Sequence, residues 1–509
     1  MNLRDVFLTE IENNFVVGEN GMFNLESTGN NNLNFFAAAG GLRNDTSTAL
    51  MLFKKAYTED PILGIANLLN SRDPRNGMGE RDIFIRAADF LAAAHNEVFH
   101  RLILSFGSFA RWKDLFKVVA LGNTNKKNKE FIALCIVESI NESNKANGTL
   151  AYLPKYIPLK SKNSEVREVI SLARKLAKLS PADFRKAVVK ARSHVVETKI
   201  TQNDFSEIDY SSVPSLAMNR YSSLFLKKDY ENFSKFINDV NNGKAKINAG
   251  VLTPENVVHR VRTFGRPSVD LAEIESELNA LDAMWKNLTD FVKGSEVNIL
   301  PVVDVSGSMI SYGVLDASVG LGIYLSERNR GALQNIICSF SDSPRLFEIA
   351  GTIAEKVSSV LDSENIGYST DYEKTLKLIA KKIKESNVPK EEMPVILFLS
   401  DMNFNEATSS RSQGENFAKT LANKIFNEYD LDTPKIVYWN LNHNGGFQVK
   451  ASDDGFAQVS GRSASVMKTV LENINCFNPK NIMLEAIEKY AGAAHYIVNG
   501  NEWHEHSGS

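Results

Sequence analysis

From about residue 296 the chain follows a rule that few folds can satisfy: short, uniformly apolar runs alternate with amphipathic helical segments. The runs are "NILPVVDV", "NIICSF", "RLFEIA", "MPVILFLSD", "KIVYWNLN" and "FAQVSG". Between them lie "LDASVGLGIYLSE", "IAEKVSSVL", "YEKTLKLIAKKIKE" and "NFAKTLANKIF". A strand without a polar face must be covered on both sides. The pattern therefore predicts a doubly wound, Rossmann-like α/β domain built on a parallel sheet. In such sheets ligands bind beyond the carboxyl ends of the strands.

The first run ends in "DVSGSM", which places Asp304, Ser306 and Ser308 where a buried strand should give way to a loop. Alone, Asp-x-Ser-x-Ser is an ordinary turn-forming combination. Two further segments add to it: "GYSTDYEKTLKLI" puts Thr370 in a loop just before a helix, and "MPVILFLSD" ends a second buried strand at Asp401. All three loops can share one sheet edge. Carboxylate and hydroxyl oxygens with coordination positions left open suit a hard cation, Mg²⁺ in the first place and Mn²⁺ or Ca²⁺ as alternatives.

In order along the chain, DVSGSM, the Thr370 loop and Ser400-Asp401 resemble the metal-ion-dependent adhesion site (MIDAS) of von Willebrand factor A domains. The resemblance implies that Asp304, Ser306, Ser308, Thr370 and Asp401 hold the cation directly or through water, and that a protein partner's Asp or Glu completes its shell. Where that family usually has Thr-Asp-Gly, this chain has Ser400-Asp401-Met402, which keeps the carboxylate and changes the turn.

The first 265 or so residues read differently. "STALMLFKKAY", "IFIRAADFLAAAHNEVFHRLIL", "KEFIALCIVESI" and "VREVISLARKLAKL" carry apolar residues at three- and four-residue spacing, with breakers such as "DPRNGMGER", "GNTNKKNK" and "LSPADF" between them. This predicts an irregular, HEAT-like array of helical hairpins, curved or ring-like. "SVDLAEIESELNALDAMWKNLTDFVKG" follows as a connector helix. The expected division is 1–267 helical array, 268–295 connector, 296–500 α/β domain and 501–509 tail. "RDPRNGMGERDIF", "FGSFARWKDLF", the segment from His194 to Phe225 and "GKAKINAGVLTPENVV" resemble the helical region of a family that joins helices to a C-terminal von Willebrand A domain. In domain order that layout is similar to the TROVE module of Ro-autoantigen proteins. This second resemblance implies a ribonucleoprotein that binds structured RNA on a basic outer surface and single-stranded ends in a central hole.

Charge distribution is consistent with a polyanion partner for one part of the chain. Residues 101–200 hold 20 Lys+Arg against 8 Asp+Glu, whereas residues 301–509 hold 19 against 26. The candidate RNA contacts are Arg111, Lys113, Arg174, Lys175, Lys178, Arg185, Lys186, Lys190 and Arg192. Lys186 and Lys190 are four apart and share one helical face. Solvated helix faces would produce the same charge excess. Phe109, Trp112 and Phe116 have a spacing that fits a helix core face better than a base-stacking platform. "RDPRNGMGER" is either a backbone nest for an anion or, more simply, an inter-helix turn with local ion pairs among Arg72, Asp73, Glu80 and Arg81.

Other classes find little support. Two carboxylates with hydroxyls, and no Lys or His at a fixed spacing, make a poor hydrolase, so the chain is expected not to be an enzyme. Neither GxxxxGK[ST] nor GxGxxG occurs. Cys135, Cys338 and Cys476 are widely spaced, which argues against a disulfide framework or a zinc site. No stretch approaches the roughly 20 apolar residues of a membrane span. His443, in "YWNLNHNGG", is a loop histidine held by backbone or a contact at the site's rim, and "EWHEHSGS" reads as a loose end. The expected protein is a cytoplasmic monomer that binds RNA and Mg²⁺. The competing expectation is a metal-dependent adaptor or assembly component, such as a viral structural protein, without RNA.

Overall fold

The structure is a computed structural model, and it describes residues 15–17, 20–142, 150, 152–192, 200, 205, 208–248, 251–263, 271–311, 313–330, 332–362, 370–405, 418–443, 446–472 and 477–500. The chain groups into two compact units, one of residues 1–44 with 209–486, the other of 45–208 with 487–509. Both units are therefore assembled from distant parts of the chain.

In chain order the N-terminal segment gives β1 (Phe15–Val17), β2 (Phe23–Leu25) and α1 (Asn31–Ala39). Asn30 caps α1, its side chain accepting the Leu33 N–H at 2.8 Å. The helical unit follows: α2 (Thr46–Glu59), α3 (Pro61–Arg72), α4 (Asp82–Ala94), α5 (Asn96–Leu104), α6 (Trp112–Ala120), α7 (Lys126–Glu142), α8 (Ser164–Leu176) and α9 (Pro181–Ala191). Neighbours in sequence pack as pairs, α2 on α3, α4 on α5 and α7 on α8.

In the other unit, α10 (Ser215–Lys228), α11 (Tyr230–Asn241), α12 (Pro254–Thr263) and α13 (Leu271–Lys286) precede β3 (Ile299–Asp304). Then come α14 (Gly307–Ser311), α15 (Leu315–Arg328), β4 (Ile336–Phe340), β5 (Leu346–Glu348), α16 (Ile353–Val360), α17 (Tyr372–Glu385), β6 (Val395–Ser400), α18 (Ala418–Glu428), β7 (Ile436–Asn440), β8 (Phe456–Ser460), α19 (Ser465–Glu472) and α20 (Pro479–Glu488), within whose last turn the unit boundary falls. The last helix, α21 (Ala491–Asn499), belongs to the helical unit.

Every apolar run singled out in the sequence is a strand, and together they form one six-stranded sheet of order β5-β4-β3-β6-β7-β8. The sheet is mixed, because β5 pairs antiparallel with β4 at the edge while the other pairings are parallel. Strands β3, β6, β7 and β8 are buried along their whole length, as unbroken apolar runs require. One face packs an aromatic cluster of Phe340, Tyr372, Phe398, Phe404 and Tyr438, in which the Tyr372 and Tyr438 hydroxyls share a 2.7 Å hydrogen bond. On the other face α15 lies against β3, where a Cβ on Gly322 would come 2.3 Å from a Val303 methyl.

The compact units do not break at residues 267 and 296. Helices α10 to α13 pack into the sheet-bearing unit, where α12 meets α15 so closely that a Cβ on Gly320 would lie 2.9 Å from the Pro254 carbonyl carbon. At the other end of the chain, α21 packs on α3 and α5, and Arg101 donates to the Ile497 and Val498 carbonyls at 2.7 and 2.8 Å, closing the C-terminus of α21. Periodicity shows that a helix has an apolar face without naming what covers it. No described helix is long and apolar enough to cross a membrane. Cys135 and Cys338 are buried free thiols pushed up to about 12 by burial, and Cys476 lies outside the described residues, as does the tail from residue 501.

Candidate metal centre

Strand order changes direction at β3: the chain leaves it for β4 on one side and later returns to β6 on the other. Such a switch point opens a crevice at the strands' carboxyl ends. The parallel register pairs Val303 with Leu399, so Asp304 and Ser400 end adjacent strands side by side.

Asp304 is fully buried and held by two donors: the Ser306 N–H reaches one carboxylate oxygen at 2.9 Å, and the Ser400 hydroxyl reaches the other at 2.6 Å. Ser306 Oγ lies 3.0 Å from Ser308 Oγ, so the two hydroxyls of the motif sit together, Ser306 buried and Ser308 half-buried. Thr370, buried immediately before α17, donates its hydroxyl hydrogen to the Asn403 carbonyl at 2.5 Å, which leaves its oxygen lone pairs available to a ligand. The Asn405 N–H returns a bond to the Thr370 carbonyl at 3.0 Å. Asp401 is buried and accepts the Asn403 N–H at 3.2 Å. The three loops thus meet at one edge, as their positions in the sequence imply.

Burial and a neighbouring charge both disfavour the ionised form of Asp304. Burial, and then the neighbouring Asp401 charge, push the Asp304 carboxyl up to about 7, against the weaker opposing pull of its hydrogen bonds. Among the described residues no Lys or Arg pairs with Asp304, whose partners are the Ser306 and Ser400 donors. No three His, Cys, Asp or Glu side chains gather as metal ligands anywhere among the described residues; this site offers two carboxylates. A hard divalent cation fits this donor set: two carboxylates and three hydroxyls supply oxygen only, and positive charge would relieve the repulsion.

Met402 accounts for the altered Ser-Asp-Met turn. It adopts φ +66°, the left-handed conformation for which glycine is best suited, and its side chain is buried in the aromatic cluster. The conformation is unfavourable by about 1–2 kcal/mol for a residue with a Cβ, while burying a Met side chain returns about 1.5–3 kcal/mol. The packing term offsets the strain of a left-handed residue that carries a Cβ. The Met402 N–H also donates to Ser400 Oγ at 3.1 Å, fixing the hydroxyl that in turn holds Asp304. That support from Ser400 could not be seen in the spacing.

The basic residues are distributed less simply. On α9, Phe184, Val188 and Ala191 are buried while Arg185, Lys186 and Lys190 are exposed, so one basic face exists there. Lys175 and Lys178 are exposed and Arg192 is half-buried. Arg174 is also half-buried and donates to the Leu179 carbonyl at 3.3 Å. Arg111 and Lys113 are exposed at the start of α6. Trp112 and Phe116 are core residues, and Phe109 packs edge-on against Tyr490 at 5.5 Å.

In the "RDPRNGMGER" turn, Arg72 and Arg81 find acids outside the expected local set. Arg72 is buried and pairs with Asp114 of α6 at 2.7 Å, while Arg81 pairs on the surface with Asp82. Asp73 accepts the Tyr490 hydroxyl at 2.9 Å. The Gly77 and Gly79 N–H groups donate to the Asp73 carbonyl, and those of Met78 and Glu80 to the Asn70 and Ser71 carbonyls, so these backbone donors serve the turn and not an anion. His443 is held by its backbone N–H on the Gly41 carbonyl at 2.9 Å.

Two family models match the chain. Residues 298–496 match one described as a domain of unknown function, DUF7788, and residues 158–296 match another described in the same words, DUF2828. The uncharacterized protein L728 of Acanthamoeba polyphaga mimivirus is 26% identical over 479 residues, 86% of this chain and 81% of that protein. Among solved structures, the RO (RSR) protein of Deinococcus radiodurans overlaps 91% of this chain and 100% of its own at 11% identity, with a TM-score of 0.39.

Proposed function

We propose that the chain is a binding protein whose sheet edge holds a divalent cation and uses it to capture an acidic group of a protein partner, in the manner of a von Willebrand A metal site. The observation that carries this is the burial of Asp304 beside the Asp401 charge, with hydroxyl and amide donors as its partners. Asp304, Ser306, Ser308, Thr370 and Asp401 would hold Mg²⁺, or Mn²⁺ or Ca²⁺ in its place. When bound, the cation supplies a hard Lewis acid able to take a carboxylate from another molecule. Ser400 and the Ser306 N–H keep both Asp304 oxygens oriented, and the Asn403 carbonyl fixes the Thr370 hydroxyl. The role is binding and not catalysis.

A second reading, RNA binding by the helical unit, is favoured by the exposed Arg185, Lys186 and Lys190 on α9. Reversing two of these charges, Arg185→Glu with Lys186→Glu, is expected to weaken single-stranded RNA binding at least tenfold at low salt. The slope of log affinity against log salt should fall by about 0.7 for each phosphate that is no longer neutralised. Gel shifts across a salt series measure both. Unchanged affinity and slope in the double variant would leave the basic face as a solvated helix surface. RNA binding that ignores EDTA would assign the cation to a different partner.

A further inference from the structure

The third metal loop, residues 401–405, is gripped from a part of the chain nearly 400 positions away. The Asn20 side-chain amide donates to the Asn403 carbonyl at 2.8 Å. That same carbonyl accepts the Thr370 hydroxyl at 2.5 Å. Next to it, Gly21 forms an antiparallel bridge with Asn405, whose N–H is bonded to the Thr370 carbonyl. Met22 is buried in the aromatic cluster that also contains Met402, Phe404 and Tyr372. Leu25 and Phe447 then exchange both backbone hydrogen bonds at 2.7 Å, anchoring the segment to the loop after β7.

We infer that residues 20–25 are a built-in positioning element for the cation site, with Asn20 as the residue that sets the Asn403 carbonyl and, through it, the Thr370 hydroxyl. The inference rests on the metal reading above. Thr370 and Asp401 approach the site from different loops, and Asn403 joins them through two successive peptide units: its N–H holds Asp401 and its carbonyl holds Thr370. Asn20 is the second donor to that carbonyl, so losing it frees the 403–404 peptide to tilt and misplaces the Thr370 hydroxyl. Supporting groups of this kind typically change metal affinity more than they change the fold. Linkage makes the effect reciprocal: cation binding must hold the N-terminal segment in place as firmly as the segment holds the site.

Asn20 is itself exposed, so its replacement leaves the core intact. The test is Mn²⁺ binding to the full chain, followed by electron paramagnetic resonance, for wild type, Asn20→Ala and Asn20→Gln, together with melting temperatures in EDTA. Asn20→Ala is expected to raise the Mn²⁺ dissociation constant about 3- to 10-fold with the EDTA melting temperature unmoved, and Asn20→Gln, which keeps the amide donor, should recover part of the loss. Hydrogen exchange in residues 20–28 should slow when Mn²⁺ is added to wild type. If wild type binds Mn²⁺ and Asn20→Ala binds it equally well, the positioning role is wrong while the metal site stands. A wild-type chain that takes no Mn²⁺ overturns both.

Discussion

Asp304→Asn is expected to make the protein more stable than wild type in EDTA at pH 8, by on the order of 2–4 kcal/mol, and to abolish any further gain from Mg²⁺. In the folded chain burial and the Asp401 charge raise the carboxyl to about 7, whereas in the unfolded chain it titrates in the ordinary carboxylate range. A group whose folded value is raised favours the folded state only while it stays protonated. Wild type should therefore lose stability as pH climbs from about 4 to 7 and then level off. Asparagine removes the charge and can keep both contacts, its carbonyl accepting the Ser306 N–H and its amide donating to the Ser400 hydroxyl. Calorimetry at pH 5 and pH 8, with EDTA or Mg²⁺, measures the effect. Mg²⁺ should stabilise wild type more at pH 8, because the cation needs the deprotonated acid. A variant less stable than wild type at pH 8 in EDTA would show that the buried carboxylate is already compensated.

Arg72→Met is expected to destabilise the helical unit by about 3–5 kcal/mol, since it leaves the buried Asp114 carboxylate unpaired. Both the Nε–H and an Nη–H of Arg72 converge on the same Asp114 oxygen, at 3.1 and 2.7 Å, tying α3 to α6. Adding Asp114→Leu should recover most of the loss, because two apolar side chains need no mutual charge to remain buried. Urea unfolding followed by helical circular dichroism gives the three stabilities. A single variant within about 1 kcal/mol of wild type would mean that water reaches Asp114 once the guanidinium is gone.

These two sites differ in how far the sequence announces them. Asp304 and Asp401 stand at the ends of apolar runs, and a run buried on both faces fixes where its strand stops, so the edge and its acids could be read directly. Arg72 ends α3 just before a Gly-rich turn, with Asp73 and Glu80 near it in sequence, yet it pairs with an acid 42 residues away across a helix packing that no local spacing encodes. The same gap hides the hydrogen bond of Asn20 to Asn403 and the docking of α12 on α15, where Gly320 permits close approach. Met402 shows another limit: its left-handed turn is held by the aromatic core behind it, and a motif match at that position sees only a missing glycine.

The central claim is that oxygens from three separate loops form one cation site at the switch point of the sheet. Titrating the full chain with Mn²⁺ at pH 7.5 tests it most directly. The account predicts one equivalent bound, displaced by Mg²⁺ and abolished in both Asp304→Asn and Asp401→Asn while circular dichroism stays that of wild type. No binding at millimolar Mn²⁺, or binding that survives Asp304→Asn, would contradict it.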